Sequence, residues 1–518
     1  MTGLIEVGAR VDARLGRAGL DLTTGGEPTF TVASTTAPEW RSEPLGDDKR
    51  ARARSLARAL GRILRAEVEE VPGRKYAGED EPRWCLRIAR GTLVGNVTPD
   101  PGVVEVNLPP ARTFRELSRF VTATYRAAEE AGLAAIRVLH NGRVVGSGGG
   151  AHVTLGGPTL ARSPFVRRPA LLAELVAYVH NHPSLSYALV GMSAGATSQA
   201  PRVDESGADR LRDLRIAVGS IRARSREVTV GEVHASLAPL HCDVTGNTHR
   251  AEINLEKLVP LGLVELRAVE AQPTSDCWLA AALVWRALVA RLATKRYGTP
   301  LADHGERLHD ECASPSWMRA DLAAVLSDLG LPAGLLDDAI DRRYPVLGVL
   351  EAPGVRAEVR PALEFWPVVG PLASQESAAS RFVDSTVERI EIALSGPRAS
   401  RVVAGVNGRP IAQIRVRASR VGAVRYRAAP PVPGGLQPLV PVHAPLEISL
   451  VDRASGRPLA RARLHAWHPG GGGYASLPKD LAEAASRRRA RFETVAPGSR
   501  KVRLADPHGV WTLDLLAG

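Results

Sequence analysis

The sequence predicts an α+β protein that ends in a separate β-sandwich-like domain. Three observations carry this. Through roughly the first 270 residues, short runs with a period of two alternate with longer helical patterns. Helical patterns then dominate from 276 to about 342, and from Phe382 onward the texture is strands and turns. A chain of 518 residues has material for roughly two to four domains. The expected organisation is a core at 1–275, a helical extension of it at 276–370, and a β-rich accessory domain at 381–518. The boundary before that last domain is the small and polar stretch Gly370–Ser380.

Composition narrows the class. The 44% hydrophobic and 24% charged fractions are those of an ordinary globular chain. No run of eighteen or more apolar residues appears, and the N-terminus lacks a basic segment followed by an apolar core, so neither membrane insertion nor secretion is expected. Cys85, Cys242, Cys277 and Cys312 are too scattered for a zinc or disulfide framework, which fits a reducing cytoplasm. The net charge of +12 comes mostly from dispersed arginine. In the densest run, Arg50 to Arg65, the arginines flank an apolar stripe of Leu56, Leu60, Ile63 and Leu64 and so form a solvated helix face. Aromatics are 4%, with no aromatic and glycine signature of an RNA-binding sheet, so nucleic acid is not an expected partner.

Taken in order, Asp21–Val32 holds the turn Gly-Gly-Glu-Pro before an extended run, with Pro28 biasing Glu27 away from helix. A helix follows around 47–68. The segment from Gly73 to Trp84 is polar and without period, and its Lys75 is a candidate phosphate contact or a solvated loop cation. Trp84–Ile88 reads as a strand. In the strand after Pro101, Val104, Val106 and Leu108 share one face and Glu105 and Asn107 the other, which suits either a sheet whose second face lines a wet cleft or one whose second face is an outer, solvated surface. Thr113 and Glu116 form a capping-box pattern opening a helix that runs to about residue 132. Ile136–Leu139, the turn signal Asn141-Gly142 and Val144-Val145 make a hairpin, so the glycine run Gly146–Gly150 before His152 reads as its return arm.

Beyond it, a helix around 169–180 ends at His180 and His182, which nothing nearby completes into a zinc set. A polar loop with Arg202, Asp204 and Glu205 precedes a helix at 207–222. The stretch from Asp243 to Lys257 contains Arg250, and the strand from Gly262 puts Glu265 and Arg267 on one face. The C-terminal part alternates at Ile390, Ile392 and Leu394 and again at Leu446, Ile448 and Leu450, with turns at Asn407-Gly408 and Ser455-Gly456 and a helical break at 479–492.

The polar positions on strands or glycine loops are Glu27, Glu105, Asn107, His152, Arg202, Arg250, Glu265 and Arg267. Carboxylates with one histidine suit Mg²⁺ or Mn²⁺, and arginines beside them suit phosphate oxygens. The chain has no Walker-type loop, no Gly-x-Ser-x-Gly and no His-Glu-x-x-His, which removes the commonest nucleotidase and hydrolase patterns.

These blocks resemble a family assigned as amidoligases, large bacterial proteins often fused to a transglutaminase-like domain, within the glutamine synthetase-like carboxylate–amine ligase superfamily. The resemblance rests on Gly-Gly-Glu-Pro-Thr-Phe (25–30), Thr-Pro-Asp-Pro-Gly-Val-Val-Glu-Val-Asn (98–107), the glycine run with His152, and Leu-Gly-Gly-Pro-Thr (155–159). It continues through Asn-His-Pro-Ser-Leu-Ser-Tyr (181–187), Thr-Ser-Gln-Ala-Pro-Arg-Val-Asp-Glu (197–205), Asp-Val-Thr-Gly-Asn-Thr-His-Arg-Ala-Glu (243–252) and Gly-Leu-Val-Glu-Leu-Arg (262–267), and covers nearly the whole chain. Ala151, where asparagine is expected, and Arg74-Lys-Tyr-Ala-Gly-Glu depart from the family pattern, and its transglutaminase-like part is not among the matched blocks.

The resemblance implies an antiparallel sheet that cradles ATP and Mg²⁺ or Mn²⁺. It implies metal ligands Glu27, Glu105, His152 and Glu265, and catalytic roles for Glu27, Arg202, Arg250 and Arg267. Lys75, Gly148, Gly149, Gly150, His152 and Asn107 would contact the nucleotide. The implied reaction phosphorylates a carboxylate and lets an amine displace the phosphate to form an amide. The expected partners are a peptide or amino-acid-like acyl donor and an amine, with a separate transglutaminase-like protein as a candidate partner and no membrane. Two readings from other classes remain: a catalytically silent binding module that keeps the fold, and a metal-dependent amide hydrolase.

Overall fold

The structure is a computed structural model. It describes residues 2–32, 47–72, 82–88, 92–100, 102–191, 194–196, 198–367, 383–430, 436–498 and 511–517. Lys75 and the Gly370–Ser380 linker lie outside the described residues. The chain divides into two compact units, the first made of 1–137, 145–303 and 323–339, the second of 138–144, 304–322 and 340–518.

The first unit holds two antiparallel sheets that part company at one proline. Strand β1 (Thr23–Glu27) runs up to Pro28, and β2 (Thr29–Val32) resumes directly after it. Proline has no N–H to give to a ladder, so a strand is readily interrupted there. The larger sheet adds β3 (Glu67–Pro72), β4 (Pro82–Ile88), β5 (Thr92–Asp100), β6 (Val103–Asn107) and β7 (Leu133–Ala134), in the order β3-β4-β5-β6-β2-β7. A hairpin of β8 (Ile136–Val138) and β9 (Val144–Gly146) turns at Gly142, whose φ is +80°. The smaller sheet contains β10 (His152–Gly156), β11 (Ile253–Asn254) and β12 (Val264–Leu266), ordered β1-β10-β12-β11. The glycine run is therefore not the hairpin's return arm, which ends at Gly146. It is the link that carries the chain from the hairpin into a different sheet.

The helices behave largely as the apolar periods require. Phe114–Glu130 starts at Thr113, whose hydroxyl accepts the Glu116 N–H at 3.2 Å, as the capping pattern anticipates. The helix Ser275–Thr294 is long and apolar enough to cross a membrane by length and composition, but 83% of its apolar window is buried within the unit. It is a core helix. Its Arg286 is buried and spent on neighbours: Nε donates to Asp12 at 2.7 Å and Nη1 to the Leu22 carbonyl and the Thr24 hydroxyl. All four cysteines are buried and none is in a disulfide.

The second unit is a two-sheet β structure, as the alternation from Phe382 predicts. One sheet is built on Val355–Ala362, Val387–Ser395 and Ser419–Arg427, the other on Val402–Val406, Leu446–Asp452 and Pro458–Leu464. Ile390, Ile392 and Leu394 from the first share a single buried cluster with Val402, Ala404, Ile448, Leu450 and Ala462 from the second. Two inner faces interdigitating in this way make a sandwich core. The turn Asn407-Gly408 has both residues at positive φ, +49° and +78°, the geometry an Asn-Gly hairpin signal calls for. The helical break is realised as Leu481–Ala490.

A candidate metal and phosphate site on the smaller sheet

Strand register brings the central side chains together. Glu27 is the cross-strand partner of His152 in the β1–β10 pair, and in the β10–β12 pair Glu265 lies opposite Thr154. His152 and Thr154 are two apart and share a face, so Glu265 meets His152 on the diagonal. The His152 Nδ1 lies 3.3 Å from Glu27 Oε2 and 3.1 Å from Glu265 Oε1. One ligand atom from each of Glu27, His152 and Glu265 falls within 4.8 Å of the others.

The backbone around His152 is shaped to leave its ring room. A Cβ on Gly150 would stand 2.0 Å from the imidazole Nε2, so no side chain fits there while the ring keeps its place. On the facing strand, a Cβ on Gly26 would stand 2.4 Å from both the His152 carbonyl oxygen and the Trp278 ring. Trp278 Nε1 donates to the Ala151 carbonyl at 3.0 Å, and Ala151 N–H donates to Val269 at 2.8 Å. Ala151 is fully buried. The Thr29 hydroxyl donates to the Gly150 carbonyl at 2.6 Å, tying the glycine run, with Gly148 at φ +101° and Gly149 beside the Thr29 side chain, to β2. Thr29 is in turn the cross-strand partner of Glu105.

Two cations answer the carboxylates. Lys257 Nζ lies 3.4 Å from Glu27 Oε1 and 3.0 Å from Glu265 Oε2. Arg267 Nη1 donates to Glu265 Oε1 at 2.6 Å. The Arg267 Nε is buried with no hydrogen-bond partner among the described residues. Lys257 is absent from the sequence-derived site. It is one of only six lysines among 67 basic residues, and the turn at Gly262 (φ +68°) folds it back over β12. A lysine in a chain that otherwise uses arginine is the one sequence signal for it.

The protonation equilibria follow from this crowding. Burial alone would raise the Glu27 carboxyl, but the His152 hydrogen bond and the nearby cations leave it below its ordinary value. Glu265 is lowered in the same way, by His152, Arg267 and Lys257 against its burial. Burial and Arg267 push the His152 imidazole down, yet its bonds to Glu265 and Glu27 hold it above the usual value. Lys257 is raised because the two carboxylates outweigh its burial. The two carboxylates gather Lys257, Arg267 and the imidazole around them. A donor set of two carboxylates and one imidazole fits Mg²⁺ or, better, Mn²⁺, and three protein ligands leave coordination positions for phosphate and water.

The remaining sequence candidates sit at different removes. Glu105 is next to this cluster but outside the three-ligand set. Asn107 donates to its Oε1 at 2.8 Å, and burial, then the charges of Glu27 and Asp100, push its carboxyl up to about 7. Arg202 is elsewhere. It is fully buried, with Nε and Nη2 each 3.0 Å from Asp204, Nη2 also bonded to the His180 carbonyl, and Nη1 3.5 Å from Glu252. A guanidinium so committed is an internal hub, with no fork turned to the Glu27 cluster. Arg250 is buried in the turn Asn247–Arg250, where its N–H donates to the Asn247 carbonyl at 3.1 Å.

Comparison with known proteins adds the family. The sequence matches the family described as "Putative amidoligase enzyme (DUF2126)" over residues 2–92 and 90–515. No curated protein matches the chain. Among solved structures, those titled "GmaS/ADP complex-Conformation 1" and "Apo GmaS without ligand" are each 14% identical. They cover 65% and 66% of this chain and 72% and 71% of their own, with TM-scores of 0.34 and 0.31, a likeness too slight to carry an argument.

Proposed function

The chain belongs to that amidoligase family, and from this premise we propose that it is an ATP- and Mg²⁺-dependent carboxylate–amine ligase acting on a peptide or amino-acid-like carboxylate. The observation that supports this reading most directly is the convergence of Glu27, His152 and Glu265 from neighbouring strands of one sheet. A triphosphate needs a divalent ion to neutralise its oxygens during transfer, and these three side chains would hold one.

The chain's own groups have separable tasks in such a reaction. Glu27 and Glu265 stay ionised because both are held below the ordinary carboxylate range, so they remain ligands at neutral pH. Arg267, fixed by Glu265, has a second donor, Nε, available for a phosphate oxygen. The glycine run lets a phosphate approach the backbone beside His152. An amine must lose a proton to attack an acyl phosphate. Glu105 titrates at about 7 next to the cluster, which suits it to accept that proton near neutrality. The overall change is cleavage of the β–γ phosphoanhydride, transfer of the phosphoryl group to the carboxylate, and its release as phosphate when the amide forms.

The test is whether ATP and Mg²⁺ together raise the thermal midpoint of the wild-type chain and not that of Glu27→Ala or Glu265→Ala variants that keep the wild-type circular dichroism. The proposal fails if ATP with Mg²⁺ at saturating concentration leaves the wild-type melt unmoved. Hydrolysis of an amide to its carboxylate and amine without any nucleotide would favour a hydrolase instead.

A further inference from the structure

Lys257 occupies an unusual place. Its ammonium sits between the two carboxylates that, with His152, make up the metal-type cluster, 3.4 Å from Glu27 and 3.0 Å from Glu265. A divalent ion bound by those same oxygens would need the space and the charge that Lys257 now supplies. The lysine is not locked in. Its side chain is 42% exposed, against 3% for Glu265 and 12% for His152, and it projects from the turn between β11 and β12, so its flexible stem can swing the head into water without disturbing either strand.

The balance of fixed charge says when that happens. Glu27 and Glu265 contribute two negative charges, Lys257 and Arg267 two positive ones, and they cancel. A free divalent cation therefore meets a site already neutralised, must expel Lys257 from both of its partners, and leaves a surplus of positive charge in a largely buried pocket. A cation arriving on a nucleoside triphosphate brings several negative charges with it. The phosphate oxygens then give the displaced ammonium new partners, and neutrality is kept.

Resting on the ligase reading above, we propose that Lys257 is a gate on the metal site: it excludes the free divalent ion and admits it together with nucleotide phosphates. Lys257 is thus a positioning residue that sets the order of loading, and metal and nucleotide are strongly coupled through it.

Free Mn²⁺, counted by its electron paramagnetic resonance signal with the full chain and corrected for the Mn²⁺ that the nucleotide analogue holds in a protein-free blank, measures this without any turnover. The wild type should bind Mn²⁺ alone weakly, and a non-hydrolysable ATP analogue should tighten that binding by about tenfold or more. Lys257→Gln should bind Mn²⁺ alone about tenfold more tightly than the wild type and respond little to the analogue, as removal of one competing charge requires. A merely structural lysine would give the opposite sign, since losing it would weaken every ligand. Equal affinity of the wild type and Lys257→Gln for Mn²⁺ alone overturns the gate and leaves the ligase reading standing. If Lys257→Gln does not fold, the wild type decides: Mn²⁺ binding that the analogue does not tighten overturns the gate. If neither protein binds Mn²⁺ under any condition, the ligase reading falls and the gate with it.

Discussion

The indole Nε1 of Trp278 donates to the carbonyl of Ala151 at 3.0 Å, so the core helix Ser275–Thr294 holds the backbone just ahead of His152. Both residues are fully buried. Trp278→Phe keeps an aromatic ring but removes the donor and leaves the Ala151 oxygen without this partner in a dry environment, at a cost of about 2 kcal/mol. It should lower the chemical-unfolding midpoint. Because Ala151 precedes His152 directly, nucleotide-supported Mn²⁺ binding should also weaken, by about tenfold, as for other residues that orient a ligand from behind. Unfolding that weakens while Mn²⁺ affinity stays at the wild-type value would show that the bond serves stability only.

Gly150 tests the ring itself. A methyl group there would stand 2.0 Å from His152 Nε2, so Gly150→Ala forces the imidazole out of its position between Glu27 and Glu265. The expected outcome is a folded protein with about tenfold to hundredfold weaker Mn²⁺ binding in the presence of nucleotide. Gly219 provides the contrast. It lies in the helix Ala208–Ala223, where an added methyl group would meet nothing within 4 Å, so Gly219→Ala should leave Mn²⁺ binding unchanged and add up to about 1 kcal/mol of stability. Equal metal affinity in the two variants would remove His152 from the ligand set.

Each of the three central residues had its own sequence signal: Glu27 the Gly-Gly-Glu-Pro turn before an extended run, His152 the glycine run ahead of it, and Glu265 a polar position on a strand with apolar neighbours. The rest was less legible for physical reasons. Lys257 sits in a turn, where a lone cation looks like ordinary solvated surface, and only the reversal at Gly262 returns it to the sheet. Arg202 reads as an arginine of a polar loop, in the company of Asp204 and Glu205, suited to a phosphate oxygen. Its burial depends on Glu252 and on the His180 carbonyl, partners that sequence spacing does not bring together. The glycine run reads as the end of a hairpin because Val144 and Val145 are β-prone, whereas the chain changes sheets there. The two-sheet C-terminal structure was the most legible part, since its alternation and its Asn-Gly turn act over short distances.

Glu105 gives a pH dependence. Its carboxyl is raised from 4.5 to about 7, first by burial and then by Glu27 and Asp100. A carboxyl raised on folding binds its proton more tightly in the folded state. Its contribution to stability is therefore complete below about pH 4.5 and is lost as pH rises through about 7. Glu105→Gln cannot ionise, so chemical unfolding of this variant between pH 5 and 8 should fall less steeply with pH than that of the wild type. Its ligase activity should also lose the rise through about pH 7 that a base at this position imposes. A wild-type and a variant stability profile that run parallel across this interval would show that Glu105 is not the raised group.

Arg202 separates a structural hub from a phosphate clamp. Its guanidinium holds Asp204 at two points and lies 3.5 Å from Glu252, whose carboxyl burial raises to about 7 despite that neighbouring charge. Removing the arginine leaves buried carboxylates without their counter-ion, which typically costs about 3–5 kcal/mol. Arg202→Met should accordingly unfold at much lower denaturant. Adding Glu252→Gln should return part of the loss, because one of the stranded charges goes with it, and the excess over additivity measures their coupling. Arg202 makes no described contact with Glu27, His152 or Glu265, so the folded fraction of Arg202→Met should bind Mn²⁺ with nucleotide within about twofold of the wild type, distant sites being nearly additive. A variant of normal stability that had lost nucleotide binding would instead return Arg202 to the phosphate-clamp role that its sequence context suggests.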